Sequence, residues 1–336
     1  MEMRIKDAIV GLCVADALGV PVEFCSREAL KENPVVGMRA FGTYNQPAGT
    51  WSDDTSMTLC LVDSLLNGLN YSDIMDKFLK WLREGAYTPY GEAFDIGRTT
   101  RAAITRYAGG TPPLACGGTA EHDNGNGSLM RILPLLFYLH AVYGPDFICN
   151  EEAMGIIHNV SALTHAHKRS QIACGIYLSI AEELLQKSNP VGAFTEGTDR
   201  AFAYYRKHDE FAAELTYYDR LVQKDFANLP EKEIKSSGYV VHSLEAALWC
   251  LLNTNSYRDC VLLAVNLGDD TDTVAAIAGG LAGLNYGYGC IPGEWLHVIA
   301  KRDYIEHLCR QYEETLKKLA MENSVPASRL SERATD

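Results

Sequence analysis

At 336 residues, 47% hydrophobic and 22% charged, the chain can bury a substantial core. Its formal charge of −13 excludes non-specific steering onto nucleic acid, which needs a basic face, and means that an anionic ligand requires a local positive pocket. No apolar run reaches the roughly 18 residues of a membrane span, Glu2, Arg4, Lys6 and Asp7 precede the first apolar segment so that no signal peptide is expected, and ten scattered cysteines without a C-x-x-C pair suit a reducing, cytoplasmic setting.

Helical spacing dominates from the start. Residues 4–18 place Ile5, Ala8, Ile9, Leu12 and Ala15 on one face and stop at Gly19 and Pro21, where a C-cap and a breaker belong. Just beyond lies Glu23, followed by Phe24, an aromatic able to wall its carboxyl off from water and so tune it as an acid or base. Residues 35–41 alternate like a strand. Ser52-Asp53-Asp54-Thr55 then opens a run in which Met57, Leu61, Val62, Leu65 and Leu66 share a face, which puts this acidic cluster at a helix N-terminus. Further helices are expected over 72–83, 128–143, 168–186, 242–252 and 295–319, with 261–267 as a second strand candidate.

Between these helices, residues 117–131 form a glycine-rich loop. Gly125 and Gly127 expose backbone N–H groups, Ser128 is placed to cap the following helix, and Arg131 adds a positive charge in its first turn, together an anion cradle without a Walker spacing. Thr164-His165-Ala166-His167-Lys168-Arg169 starts another helix with several donors, which reads either as a solvated helix start or as a second anion contact. Residues 206–236 carry dense charge and read as a solvated helical insertion within a single domain spanning 1–322, and 323–336 read as a polar, disordered tail.

The second acidic cluster, Asp269-Asp270-Thr271-Asp272-Thr273, again precedes a helix, here crowded with Ala275, Ala276, Ala278, Gly279, Gly280, Ala282 and Gly283. Glycine costs about 1 kcal/mol per helical site, so this density, matched by Ala8, Gly11, Ala15 and Gly19 in the first helix, marks two closely packed central helices. One Ser or Asp is enough to cap a helix; each cluster carries two or three carboxylates with hydroxyls. If the two meet, their repulsion demands protons or cations, and all-oxygen ligands suit Mg²⁺, Mn²⁺ or Ca²⁺ rather than Zn²⁺.

Together the blocks Gly11 to Gly19 with Pro21 and Glu23, Trp51 to Thr55, Asp95-Ile96-Gly97-Arg98-Thr99-Thr100, Gly125 to Arg131, Leu163-Thr164-His165 and Gly268 to Thr273 resemble, in order, those of the ADP-ribosylglycohydrolases, including the dinitrogenase-reductase-activating branch. The resemblance implies an all-α orthogonal multi-helix bundle that cleaves the glycosidic bond between ADP-ribose and an acceptor, with arginine first among the protein side chains, on an ADP-ribosylated protein or a small ADP-ribosyl substrate. It further implies two divalent cations, Mg²⁺ or Mn²⁺, on Ser52, Asp53, Asp54, Asp270, Asp272 and Thr273, with Glu23 and Asp95 as catalytic acids and Gly125, Asn126, Gly127, Ser128 and His165 holding the diphosphate and adenosine part. Ser52 stands where many members have Thr, and Asp269 where Gly is frequent, which adds negative charge near the cations.

Other readings fit less of the chain. Residues 261–267 followed by Asp270-x-Asp272-Thr273 imitate a haloacid dehalogenase phosphatase, but too few residues follow, and the Asp53 cluster is left unused. A terpenoid synthase needs acids where Met57 and Thr273 stand, and an EF-hand needs Gly at Ala275 and Glu at Leu281. A non-catalytic ADP-ribose-binding or crystallin-like relative would have no reason to keep every metal ligand.

Overall fold

The computed structural model describes residues 3–186 and 189–323, so the tail expected over 323–336 lies, but for its first residue, outside the described residues. The helices run α1 (Ile5–Gly19), α2 (Arg27–Glu32), α3 (Asp53–Leu65), α4 (Tyr71–Glu84), α5 (Arg98–Ala108), α6 (Pro134–Tyr143), α7 (Glu151–Ala162), α8 (Lys168–Gln186), α9 (Pro190–Tyr205), α10 (Asp209–Leu215), α11 (Val240–Leu252), α12 (Tyr257–Asn266), α13 (Thr271–Tyr286), α14 (Gly293–Val298) and α15 (Arg302–Asn323). Among the described residues β-structure is limited to isolated bridges, so the expected all-α class holds. No described helix is long and apolar enough to cross a membrane.

Helices α1 and α13 are buried along nearly their whole length, as befits helices that are apolar all round. They run antiparallel in backbone contact: a Cβ on Gly283 would lie 2.1 Å from the Asp7 carbonyl oxygen, one on Gly279 would lie 2.3 Å from Ala15 Cβ, and one on Gly19 would lie 2.3 Å from Asp272 Cα. The small-residue stripes are therefore the contact itself. Antiparallel pairing brings the C-terminus of α1 to the N-terminus of α13, where the second acidic cluster sits. Asp16, in the last turn of α1, accepts from the Ser52 and Thr55 backbone N–H groups at 3.0 Å each, which ties the N-terminus of α3 to the same point.

Several expectations are corrected. Residues 261–267 belong almost entirely to α12, because the buried positions Cys260, Val261, Ala264 and Val265 follow helical spacing. Residues 35–41 form no strand; Val35 is instead held by both amide atoms of Asn266. The helix expected from 128 begins at Pro134, whose fixed φ suits the first helical position. The stretch 295–319 breaks near Lys301, at φ +46°, after Ala300 N–H leaves the helical ladder for the Gly49 carbonyl. The insertion is packed rather than solvated: Phe211, Leu215, Tyr218, Leu221, Phe226 and Ile234 are buried, an apolar stripe hidden in the sequence by the charges around it.

Candidate active site

The N-termini of α3 and α13 and the C-terminus of α1 converge at the end of a pocket of about 370 Å³. At this end the pocket is lined by Glu23, Asp53, Asp95, Asp270 and Thr273, with Asp54 and Asp272 fully buried behind them. Capping does not account for the acids. Ser52 caps α3 by accepting from Asp54 N–H at 3.3 Å, whereas Asp270, the residue before α13, makes no side-chain cap at all. Its Oδ2 instead accepts from the Asn126 amide at 2.8 Å.

Ser52 Oγ donates to Asp54 Oδ2 at 2.9 Å, and Thr273 Oγ1 from the opposite cluster reaches the same oxygen at 3.3 Å, so the two hydroxyl-acid devices interlock. Four buried carboxylate oxygens nevertheless have no hydrogen-bond partner: Glu23 Oε2, Asp54 Oδ1, Asp270 Oδ1 and Asp272 Oδ2. Orphaned buried acceptors are costly and call for a donor or a cation. Carboxylate oxygens of Asp16, Asp54 and Asp272 come within 4.8 Å of one another, as do those of Glu23, Asp95 and Asp272. In the first trio both oxygens of Asp16 are already taken by Ser52 and Thr55, so Asp16 orients the cluster from behind.

Burial, followed by mutual repulsion, raises the Asp53, Asp54 and Asp272 carboxyls well above the usual range, and burial raises Asp95 and Asp270 as well. Burial and the neighbouring Asp95 push Glu23 up to about 10. Tyr44 donates to Asp95 Oδ1 at 2.5 Å and thereby orients it. Backbone strain gathers here: Phe24, Asp95 and Asp269 all have positive φ, at +63°, +56° and +60°. Phe24 N–H donates to the Asp269 carbonyl at 2.7 Å, and Asp269 N–H to Cys25 at 2.9 Å. The left-handed backbone explains a preference for glycine at Asp269, since Asp tolerates that region better than most residues. Asp269, expected to add charge beside the acids, borders the cleft on the far side of this wall instead.

At the other end the pocket is lined by Gly125, Asn126, Gly127 and His165. Asn124 and Asn126 hydrogen-bond to Val240 and Gly238, which fixes the loop and leaves the Gly125 and Gly127 N–H groups with no acceptor among the described residues. A Cβ on Gly127 would lie 2.8 Å from His165 Cε1 and 2.9 Å from Thr100 Oγ1, so only glycine fits. His165 is buried and held down to about 3, first by burial and then by Arg131. Its ring is therefore neutral. Thr164 Oγ1 accepts from Arg131 at 2.9 Å and lies 2.9 Å from His165 Nδ1, which fixes the ring with its Nε2 edge toward Gly127.

Other sequence expectations at this end fail. Arg131 turns away from the loop, bonded to Val160 and Thr164 and laid over the Phe78 ring, because its guanidinium packs under the cradle rather than beside it. The Ser128 hydroxyl also faces backward, accepting from Ser161 at 2.9 Å, and does not line the pocket. Lys168 and Arg169 pair with Glu210, Glu121 and Glu214 and so offer no second anion contact. Sequence reasoning assigned no role to Asp16, Tyr44, Arg98 or Thr100. Asp16, Arg98 and Thr100 stand inside quoted motif blocks, and Asp16 is an acid within a small-residue helix, a signal that could have found it. Tyr44 carried none.

A family model described as ADP-ribosylglycohydrolase matches residues 1–323. The chain is 33% identical over 313 residues to an ADP-ribosylarginine hydrolase of Serratia proteamaculans, covering 92% of this chain and 78% of that one. It is 29% identical over 321 residues to the ADP-ribosyl-[dinitrogen reductase] glycohydrolase of Rhodospirillum rubrum, covering 94% and 96%. A solved structure titled as an ADP-ribosylglycohydrolase-related protein complex superposes with a TM-score of 0.76 at 31% identity, covering 94% of this chain and 98% of that one.

Proposed function

The chain belongs to the ADP-ribosylglycohydrolase family and hydrolyses the glycosidic bond of ADP-ribose; on that premise we propose that its acceptor is an arginine side chain and that its acidic cluster holds two divalent cations, Mg²⁺ or Mn²⁺. The observation that carries the cation proposal is the set of four orphaned carboxylate oxygens contributed by both clusters and Glu23. The available ligand atoms are all hard oxygens, and Asp272 comes within 4.8 Å of Asp54 on one side and of Glu23 and Asp95 on the other. Ser52, Asp53, Asp54, Asp270, Asp272 and Thr273 would hold the ions, with Asp16 orienting Ser52 and Thr55. When bound, such cations offset the carboxylate charge and supply Lewis acidity toward the ribose hydroxyls and a water.

The remaining residues divide the work along the pocket. Gly125 and Gly127 present free backbone N–H groups toward the diphosphate, Asn126 between them is held by Gly238 and Asp270 and fixes the loop, His165 adds a neutral imidazole, and Arg98 supplies the positive charge that Arg131 does not. The Ser128 hydroxyl takes no direct part. Glu23 and Asp95 face the acidic end, and one of them moves a proton between water and the departing guanidino nitrogen; Asp95, oriented by Tyr44, serves the arginine linkage and Glu23 an oxygen linkage. Ten free cysteines fit action in the reducing cytoplasm. Turnover of ADP-ribosyl-arginine against ADP-ribosyl-serine peptides, with Mg²⁺ or Mn²⁺ and with a chelator, tests this reading. Faster cleavage of the serine linkage would overturn the arginine assignment, and full activity in chelator would overturn the cations.

A further inference from the structure

Behind the wall of the acidic pocket lies a second cleft, of about 380 Å³, of the opposite character. Arg27, Lys31, Lys232 and Lys235 line it against two acids, Glu28 and Asp269, in a protein of charge −13. The Arg27 guanidinium is held by the carbonyls of Leu267, Glu231 and Ile234 at 2.6–2.7 Å, neutral partners that fix it without cancelling its charge. Lys31 pairs with Glu231 at 3.0 Å in an exposed bridge, whereas Lys232 and Lys235 are exposed with no ion-pair partner among the described residues.

The two clefts share a wall of two dipeptides. Ser237 borders the basic cleft and Gly238 the acidic pocket; across from them, Asp269 borders the basic cleft and Asp270 the pocket. Asp270 N–H donates to Ser236 at 3.0 Å and Asn126 N–H to Gly238 at 3.1 Å, so the segment carrying Lys232 and Lys235 is bonded directly to the acid cluster and to the glycine loop. One residue step, about 3.8 Å between Cα atoms, separates the two faces. A chain whose modified side chain entered the pocket at this wall would have the basic cleft beside its neighbouring residues.

From this juxtaposition we propose that the basic cleft reads acidic residues flanking the ADP-ribosylated side chain of a protein substrate. The inference rests on the ADP-ribosyl-arginine reading of the pocket. The Arg27 charge is locked in place, while the two unpaired lysines meet carboxylates on the incoming chain and raise its encounter rate, a salt-sensitive effect. Free ADP-ribosyl-arginine has no flanks and does not reach the cleft.

The test compares the wild type with the Lys232→Glu/Lys235→Glu variant, whose exposed positions lie outside the proposed catalytic and metal-binding set. Substrates are ADP-ribosyl-arginine, an ADP-ribosylated peptide with Asp and Glu flanks, and the same peptide with Ser flanks. The wild type should cleave the acidic peptide with kcat/KM about 10-fold above the neutral one at low ionic strength, a preference that fades with added salt. The variant should lose that preference and keep ADP-ribosyl-arginine turnover within about twofold, since a distant rim charge acts on encounter rather than chemistry. Equal treatment of both peptides by the wild type, or parallel loss on the peptide and on ADP-ribosyl-arginine in the variant, would overturn the inference. Absence of wild-type turnover on ADP-ribosyl-arginine would instead bring down the functional reading on which it rests.

Discussion

Replacing Gly19 by Ala tests whether the helix pair sets the geometry of the acid cluster. The new Cβ would lie 2.3 Å from Asp272 Cα, 2.4 Å from Asp272 N and 2.6 Å from the Thr271 carbonyl carbon. All three are backbone atoms and cannot rotate aside. Carbon contacts relax near 3.5 Å, so α1 and the start of α13 must separate by about 1.2 Å, carrying Asp270, Asp272 and Thr273 with them and stretching the 2.9 Å bond from Thr271 Oγ1 to the Gly19 carbonyl. Overpacking of this kind costs about 1–3 kcal/mol, against a helix-propensity gain of about 1 kcal/mol for Ala. Displacement of a catalytic constellation by about 1 Å costs on the order of 10²-fold in rate. The expected result is therefore a kcat on ADP-ribosyl-arginine lower by about two orders of magnitude with only a modest fall in melting temperature. Gly155 in α7 is the control: a Cβ there meets nothing within 4 Å, so Gly155→Ala should gain up to about 1 kcal/mol with activity intact. Wild-type kcat in Gly19→Ala would refute the claim that this contact positions the acids.

Three more outcomes are expected. At about 100 times its dissociation constant each bound cation adds about 2.7 kcal/mol, which at roughly 2–4 °C per kcal/mol raises the melting temperature by about 5–10 °C; Asp272→Asn should abolish that rise while leaving the metal-free protein at least as stable, and an unchanged metal response would remove Asp272 from the ion site. Glu23→Gln and Asp95→Asn should keep ADP-ribose affinity by calorimetry yet lose turnover by about 10²-fold in at least one of the two, the scale of a positioned acid or base, and near-normal rates in both would leave the chemistry without a protein acid or base. His158 is held down to about 3, chiefly by burial, and its Nε2 lies 3.1 Å from the Tyr205 hydroxyl. A depressed histidine binds fewer protons folded than unfolded, so its contribution is complete above the unfolded value near 6.5 and falls with acidification toward 3. Urea unfolding should show about 2 kcal/mol lost through this group between pH 7 and pH 5, and His158→Gln should flatten that slope; an identical slope would place the acid sensitivity elsewhere.

The sequence by itself determined the helical class, the two acid-then-helix devices and the central pair of small-residue helices. Each of these depends on local spacing: apolar residues at helical intervals, hydroxyls and acids ahead of them, and glycine density too costly to keep without close contact. It also gave the family, because six blocks recur in order. Tertiary structure decided everything that depends on which way a side chain turns. Arg131 and Ser128 sit in the same glycine-rich stretch as Gly125 and Gly127, yet they face the core behind the loop, since the Gly238 and Tyr239 backbone holds the loop in one orientation. Residues 261–267 alternate like a strand and still form a helix, because their buried positions answer to α13 and α11 rather than to a sheet. Tyr44 reaches Asp95 from 51 residues away, and Asp16 reaches Ser52 from 36, distances over which no periodicity carries information. The basic cleft beside the acidic pocket is of the same kind: its lysines look like solvated charges in the chain, and only the fold bonds the segment that carries Lys232 and Lys235, through Ser236, to Asp270.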